Sequence, residues 1–364
     1  MRFTSPRFAR AGVAATAALA TVSLAACGSD SPAASGTASG DSLDGKIVAR
    51  VAPAVQQVES VLQGIAKETL AEKGVKFQVA NADGDPAKQR SLTEQYIAQG
   101  VNALMLTNVD MSGWESTFKD ATDKGIAVVN MSGSPISGAS VNFNQDQSGP
   151  GFEVGKFVGN WLKEKHACQG SVGFMTTVTI PAFQPRTKNA QTQIHQICPE
   201  VKFVDPVDAY TPEMGAKAGG NLIQSHPELD AIVSVNDDAA VGAFQAIKEA
   251  GKTDPNKFLL TGYDATPEGQ KLLEQHTVFQ LSWSYAIPYW AAQGARFAMD
   301  AIAKKDVPPT ARVFGAPVTA DNLAEYRKWA DAPLDPANQD RFAKLIQTST
   351  VKLSSGDAIG KAFQ

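Results

Sequence analysis

Polar and aromatic residues recur just past short apolar runs: Gln56 and Gln57, Asn108 and Asp110, Ser132, Arg186, Tyr210, Asn236 and Asp237, Asp264, and Trp283 with Tyr285. These types suit reversible binding better than bond making. Amides and carboxylates exchange hydrogen bonds with neighbouring hydroxyls, and an arginine fork reaches two oxygens at once. Aromatic rings cover the apolar C–H faces of a sugar ring. The set fits a small polyhydroxylated ligand. Signals for catalysis are poor. The sequence holds no Walker loop, no His-Glu-x-x-His and no Gly-x-Ser-x-Gly. The segment Gly149-Pro150-Gly151-Phe152-Glu153-Val154-Gly155 lacks dinucleotide-loop spacing and reads as helix packing through small residues. His166, His195, His226 and His276 lie far apart on different elements and read as surface residues, not a ligand set. Neither an enzyme activity nor a cofactor or metal is expected.

Each candidate also has a structural reading. Asn236 and Asp264 precede helical segments and are as well placed to cap them as to meet a ligand. Asp237 and Asp238 read as caps of the helix at Ala239–Ala250. Arg186 fits a solvated helix charge. Tyr289 and Trp290 read as packing residues. Trp114 shares an apolar face with Phe118 and belongs to a core.

The elements that must position these residues alternate. Apolar or β-branched runs at Lys46–Val51, Lys76–Ala80, Ala103–Thr107, Ala127–Asn130, Ser171–Met175, Val201–Val204, Ala231–Val235, Phe258–Gly262 and Val278–Ser282 read as strands. Between them lie amphipathic stretches. Val55, Val58, Leu62, Ile65 and Thr69 share one helical face before Gly74. Asp85-Pro86 opens the next helix and Gly100 closes it. Nine strands in this rhythm predict an α/β fold of parallel sheets flanked by helices. Two sheets of about five strands fit domain-size expectations better than one. The rhythm breaks near Val141–Gly151, and Ala286-Ile287-Pro288 is a second candidate crossing. In open parallel sheets, ligands bind beyond the carboxyl ends of the strands, where the polar set falls.

The 364 residues are 43% hydrophobic and 19% charged, ordinary for a globular chain of two or three domains. The net charge of −4 offers no basic excess for phosphates, so no nucleic-acid partner is expected. Arg2, Arg7 and Arg10 precede the small apolar run Ala11–Ala26, which reads as an export signal. Its end, Leu24-Ala25-Ala26-Cys27, resembles a bacterial lipobox. The resemblance implies cleavage before Cys27 and lipidation of its thiol, with several acyl chains giving stable anchoring. The Ser-, Ala- and Gly-rich stretch Gly28–Gly40 reads as a flexible tether. With Cys27 lipidated and the chain exported, Cys168 and Cys198 are expected to form a disulfide, a free buried thiol pair being the alternative.

Four segments resemble the periplasmic binding proteins of the ribose type. Asn236-Asp237-Asp238-Ala239-Ala240-Val241-Gly242-Ala243, followed by Ala250-Gly251, is similar to that family's Asn-Asp-x-x-Ala-x-Gly-Ala signature. Gly262-Tyr263-Asp264-Ala265-Thr266-Pro267-Glu268 is similar to its Gly-Phe-Asp-Gly-x-Pro-Glu segment. Asp83-Gly84-Asp85-Pro86 and Pro317-Val318-Thr319-Ala320-Asp321-Asn322 fit its second-helix entry and C-terminal segment. The likeness spans roughly Lys46 to Tyr326 and implies two Rossmann-like lobes joined by three hinge crossings, with a ligand cleft between them. The lobes are expected at residues 45–147 plus about 286–316, and 148–285 plus about 317–364, after a signal (1–26) and tether (27–44). A tail helix is expected at Leu323–Ala330 and another at Arg341–Gln347.

The resemblance puts Asn236, Asp264 and Arg186, past the Pro181 turn, on ligand-gripping positions. Asn108 falls on a common ligand amide and Tyr210 on a stacking aromatic. With Gln56, Gln57, Ser132, Trp283 and Tyr285 they form the expected ligand set. The implied protein is a monomeric, lipid-anchored, extracytoplasmic binding protein of an ABC importer, docking on permease subunits and carrying a sugar or polyol. A receptor feeding a sensor kinase or chemoreceptor, or an importer for a nucleoside, is the alternative. Two departures stand out. Pro53-Ala54-Val55-Gln56-Gln57 lacks the family's usual asparagine and paired aromatics, and Met131-Ser132-Gly133 replaces its Asp-Arg. They point to a smaller, less polar or otherwise modified ligand.

Overall fold

The computed structural model describes residues 42–178, 180, 183–313, 315–335 and 338. Cys27, the tether, Pro181 and the expected helix at Arg341–Gln347 lie outside the described residues. The first sheet holds β1 (Ile47–Ala52), β2 (Lys76–Asn81), β3 (Ala103–Leu106), β4 (Ala127–Asn130), β5 (Val141–Gln145) and the late strand β12 (Thr310–Val313). Its order is β12-β5-β4-β3-β1-β2, parallel throughout. The second holds β6 (Ser171–Thr176), β7 (Lys202–Phe203), β9 (Ala231–Val233), β10 (Leu259–Tyr263), β11 (Phe279–Ser284) and β13 (Ala316–Val318), in the order β13-β11-β10-β9-β6-β7. Here β13 alone runs antiparallel, on β11. The short β8 (Val207–Asp208) pairs with the end of β6. The expected α/β architecture of parallel sheets and helices is what the chain forms.

The chain passes from one sheet to the other between Gln145 and Gly149, between Ser284 and Ile287, and between Val313 and Ala316. Helix α9 (Ile287–Ile302) returns to pack on α1 (Gln57–Ala71) and on β3 and β4, so the first sheet recruits a late helix as well as a late strand. Helix α2 (Pro86–Gln99) begins as its sequence dictates. The Asp85 side chain accepts from the Ala87 and Lys88 amides, and Gly100 closes the helix in the left-handed region at φ 70°. Two helix pairs pack unusually close. In α4 (Gly149–His166), Gly151 and Gly155 face α5 (Gln184–Ile197), where a Cβ would sit 2.7 Å from the Arg186 carbonyl and 2.6 Å from that of Ala190. The small-residue segment therefore fixes the helix that carries Arg186. Gly215 of α6 (Pro212–Ser225) meets Ala239 of α7 (Asp237–Glu249) in the same way.

Some expected elements differ. Val141–Gln145, where the rhythm is expected to break, is itself a strand, and the crossing to the second sheet follows directly, between Gln145 and Gly149. The strand's polar alternation serves the loop beside it: Asn142 Oδ1 accepts from Asn130 Nδ2 at 2.7 Å and the Ile136 amide at 2.8 Å, and Asn144 Nδ2 donates to the Ser132 carbonyl at 2.7 Å. Val201–Val204 shrinks to the two residues of β7. The tail helix, α10, runs Leu323–Asp331. No helix among the described residues is long and apolar enough to cross a membrane.

Candidate functional site

A cavity of about 490 Å³ opens beyond the carboxyl ends of β1, β3, β4, β9 and β10, between the two sheets. That volume is within the range of small-molecule sites. Seven of the ten expected ligand residues line it, namely Gln56, Asn108, Ser132, Arg186, Tyr210, Asn236 and Asp264, and so does Asp110 of the wider strand-end set. A groove of about 550 Å³ on the outer side of the second sheet, near Trp161, Pro255 and Pro317, gathers none of them.

Arg186 is the centre of the second-sheet wall. It lies in the first turn of α5 and is 2% exposed, so it is not the solvated helix charge of the alternative reading. Its Nε and Nη2 donate to Gln147 Oε1 at 3.1 and 3.0 Å, and Nη1 donates to the Val235 carbonyl at 2.6 Å. The guanidinium carbon lies 4.0 Å from the Phe183 ring centroid, 4.6 Å from Tyr285 and 4.9 Å from Tyr263. Such ring contacts favour a desolvated cation. Three of five N–H groups are committed to Gln147 and Val235, which leaves donors for a guest.

Asp264 follows β10 with a left-handed φ of 101°, a conformation that costs energy for a residue with a Cβ. It does not cap the next helix, since Thr266 caps α8 (Pro267–Glu274). The turn is pinned from behind. The Asp264 amide donates to the Trp283 carbonyl at 2.7 Å, the Ala265 amide to Ser282 Oγ at 2.8 Å, and the Thr266 amide to Asp237 Oδ2 at 2.8 Å. Burial raises the Asp264 carboxyl to about 6, with Arg186 opposing and Asp238 adding to the rise. Asp237 was expected to cap α7. Instead it is fully buried and accepts from Ser282 Oγ at 2.7 and 2.9 Å, and burial pushes its carboxyl well up. It clamps the loop that presents Asp264.

Asn236 fills both of its anticipated roles. Its Oδ1 accepts from the Ala239 amide at 2.9 Å and caps α7, while its Nδ2 donates to the Tyr210 carbonyl at 2.9 Å at the cavity wall. Tyr210 reaches across to the first-sheet side, where its hydroxyl donates to Gln56 Oε1 at 2.7 Å. Burial raises that hydroxyl above the ordinary tyrosine range. On the same side the Asn108 amide N–H donates to Ser132 Oγ at 2.9 Å. The Asn108 side chain is 7% exposed, and both its polar atoms lack a hydrogen-bond partner among the described residues.

Three expected ligand residues lie off the cavity. Trp283 sits inside β11, because that strand runs to Ser284 and not only to Ser282. Tyr285 lies behind Arg186 and supports it. Gln57 heads α1, where its amide donates to Asp238 Oδ2 and its Oε1 accepts from the Glu268 amide, both at 3.3 Å. The sequence reading also missed lining residues. Gln147 and Phe183 act through Arg186, and Glu59 makes a buried pair with Arg50 at 2.7 Å. Trp290, read as packing, lines the cavity while its Nε1 donates to the Phe143 carbonyl at 2.9 Å. Cys168 and Cys198 are joined as a disulfide. Among the described residues no group of three or more metal-ligating side chains forms.

Residues 54–306 match the family described as the periplasmic binding protein domain. A putative rhizopine-binding protein of Rhizobium meliloti is 28% identical over 214 residues, 54% of this chain and 64% of that protein, so the match spans just under two thirds of its length. The galactofuranose-binding protein YtfQ of Escherichia coli is 28% identical over 223 residues, 57% of this chain and 67% of that protein. A solved Bacillus halodurans solute-binding protein with bound myo-inositol shares the fold at TM-score 0.69 and 21% identity, covering 79% of this chain and 98% of that one.

Proposed function

Since the chain belongs to the periplasmic binding protein family, we propose that it is the lipid-anchored, extracytoplasmic substrate-binding protein of an ABC importer, and that its cleft holds a sugar or polyol. One observation supports this reading above the rest. Arg186, Asp264 and Asn108 turn hydrogen-bonding capacity toward a single hollow between two sheets. Hydroxyl groups match that capacity, since each both donates and accepts. Named relatives that bind galactofuranose and ribose support the same class.

Binding here makes and breaks no bond. The guest settles against Arg186 and Asp264, and the first-sheet wall with Asn108 closes over it. Hinge closure is the general behaviour of this family. Only the guest's stronger affinity for the closed form can drive closure, and the closed form is what permease subunits would recognise. The anchor rests on Leu24-Ala25-Ala26-Cys27. A thermal-shift screen of sugars, polyols, nucleosides and amino acids tests the reading. A rise in melting temperature with a sugar or polyol supports it. A rise confined to another class, or turnover of any compound, contradicts it.

A further inference from the structure

This inference rests on the reading just given and concerns the kind of polyol. Most polar groups on the cavity wall are already engaged with the protein. Gln56 is held by Tyr210, and Glu59 and Thr107 are held by Arg50. The Gln147 carbonyl oxygen is held by Arg186, and Ser132 Oγ accepts from the Asn108 amide. Among the described residues, unused capacity on the wall includes both amide atoms of Asn108, the Asp264 carboxyl and the remaining donors of Arg186, beside the Ser132 hydroxyl proton and the bordering Asp110 and Ser112.

Beside these groups much of the wall is apolar. Leu62, Val109, Met111, Met131, Ile180 and Trp290 all border the hollow. Met131 is wedged against Gly294 of α9, where a Cβ would come within 3.0 Å of its sulfur, and it occupies the position after β4. Trp290 has no donor to spare, as its Nε1 is bound to the Phe143 carbonyl. A hydroxyl moved from water against these side chains loses its partners, whereas a methyl group placed there leaves water at a gain.

We propose that the ligand is an amphipathic polyol. It carries enough hydroxyls to engage Asn108, Asp264 and Arg186, and a deoxy, C-methyl or O-methyl edge that packs on Val109, Met111 and Met131. A fully hydroxylated hexose or cyclitol leaves hydroxyls unmatched on that wall and binds more weakly.

Calorimetric titration of matched pairs tests this: D-fucose against D-galactose, D-rhamnose against D-mannose, and a mono-O-methyl inositol against myo-inositol. In every pair with measurable binding, the methyl-bearing or deoxy member is expected to bind at least about tenfold tighter, which is about 1.4 kcal/mol. Met111→Gln, at a half-buried position, is expected to erase the preference, and Met111→Leu to keep it. Equal or tighter binding of the fully hydroxylated members overturns the inference while leaving polyol binding intact. Absence of binding by every member overturns the polyol reading and this inference together.

Discussion

Replacing Asp264 with asparagine should stabilise the ligand-free protein near neutral pH. The carboxyl is raised from 3.8 to about 6, chiefly by burial. Between these values the folded state holds a proton that the unfolded state has released. For this group, stability is therefore greatest below about pH 4, declines as pH rises to about 6, and stays at its reduced level above. A shift of roughly two units costs about 3 kcal/mol at about pH 7.5. Asp264→Asn removes the charge while keeping side-chain volume, so it recovers up to that amount. For a protein of this size the gain corresponds to a rise of roughly 4–6 °C in melting temperature. At about pH 4.5 the wild-type carboxyl is mostly protonated when folded, and the advantage shrinks to about 1 kcal/mol. Differential scanning calorimetry of both proteins at the two pH values measures this directly. The left-handed turn persists in the variant, because asparagine tolerates that conformation as well as aspartate does. A variant that melts at or below the wild type near neutral pH, or whose advantage does not shrink in acid, refutes the reasoning.

Tyr210→Phe removes the hydroxyl that bridges to Gln56 at 2.7 Å across the cleft. Ligand affinity should fall about threefold to tenfold, the worth of about 1 kcal/mol, with Gln56→Ala giving a similar loss by calorimetry. Glu59→Ala leaves Arg50 charged and buried, and chemical denaturation should show a loss of about 3–5 kcal/mol. Adding Arg50→Met should restore part of it. Opening the Cys168–Cys198 disulfide, whose partners are 30 residues apart, should lower stability by about 3–4 kcal/mol on the chain-entropy estimate. A Cys168→Ala, Cys198→Ala double variant with an unchanged denaturation midpoint would count against that bond's contribution.

The rhythm of strand and helix was readable because its stops are local. Asp85-Pro86, Gly74 and Gly100 act through their own backbone conformations. Arg186, Asn236 and Asp264 were readable as strand-end groups, and the fold brings them to one hollow. Residues whose roles depend on distant partners were not. The strand at Val141–Gln145 interrupts the apolar rhythm because Asn142 and Asn144 serve a neighbouring turn and not a hydrophobic face. Asp237 reads as a cap until Ser282 and Thr266 arrive from later in the chain to bury it. Trp283 falls inside β11, which continues two residues beyond its apolar run, and Tyr285 follows the strand but packs behind Arg186. Gln147 and Phe183 matter only through Arg186, which no local spacing announces.

The central claim is that a polyol sits against the buried guanidinium of Arg186. Calorimetric titration of the wild type and of Arg186→Lys with the best-binding sugar or polyol puts that claim to the test. The lysine keeps a positive charge but loses the planar fork. One guest per chain should bind the wild type, and the variant should bind it at least about a hundredfold more weakly, about 2.7 kcal/mol, while still melting cooperatively. Undiminished binding by the variant would contradict the account.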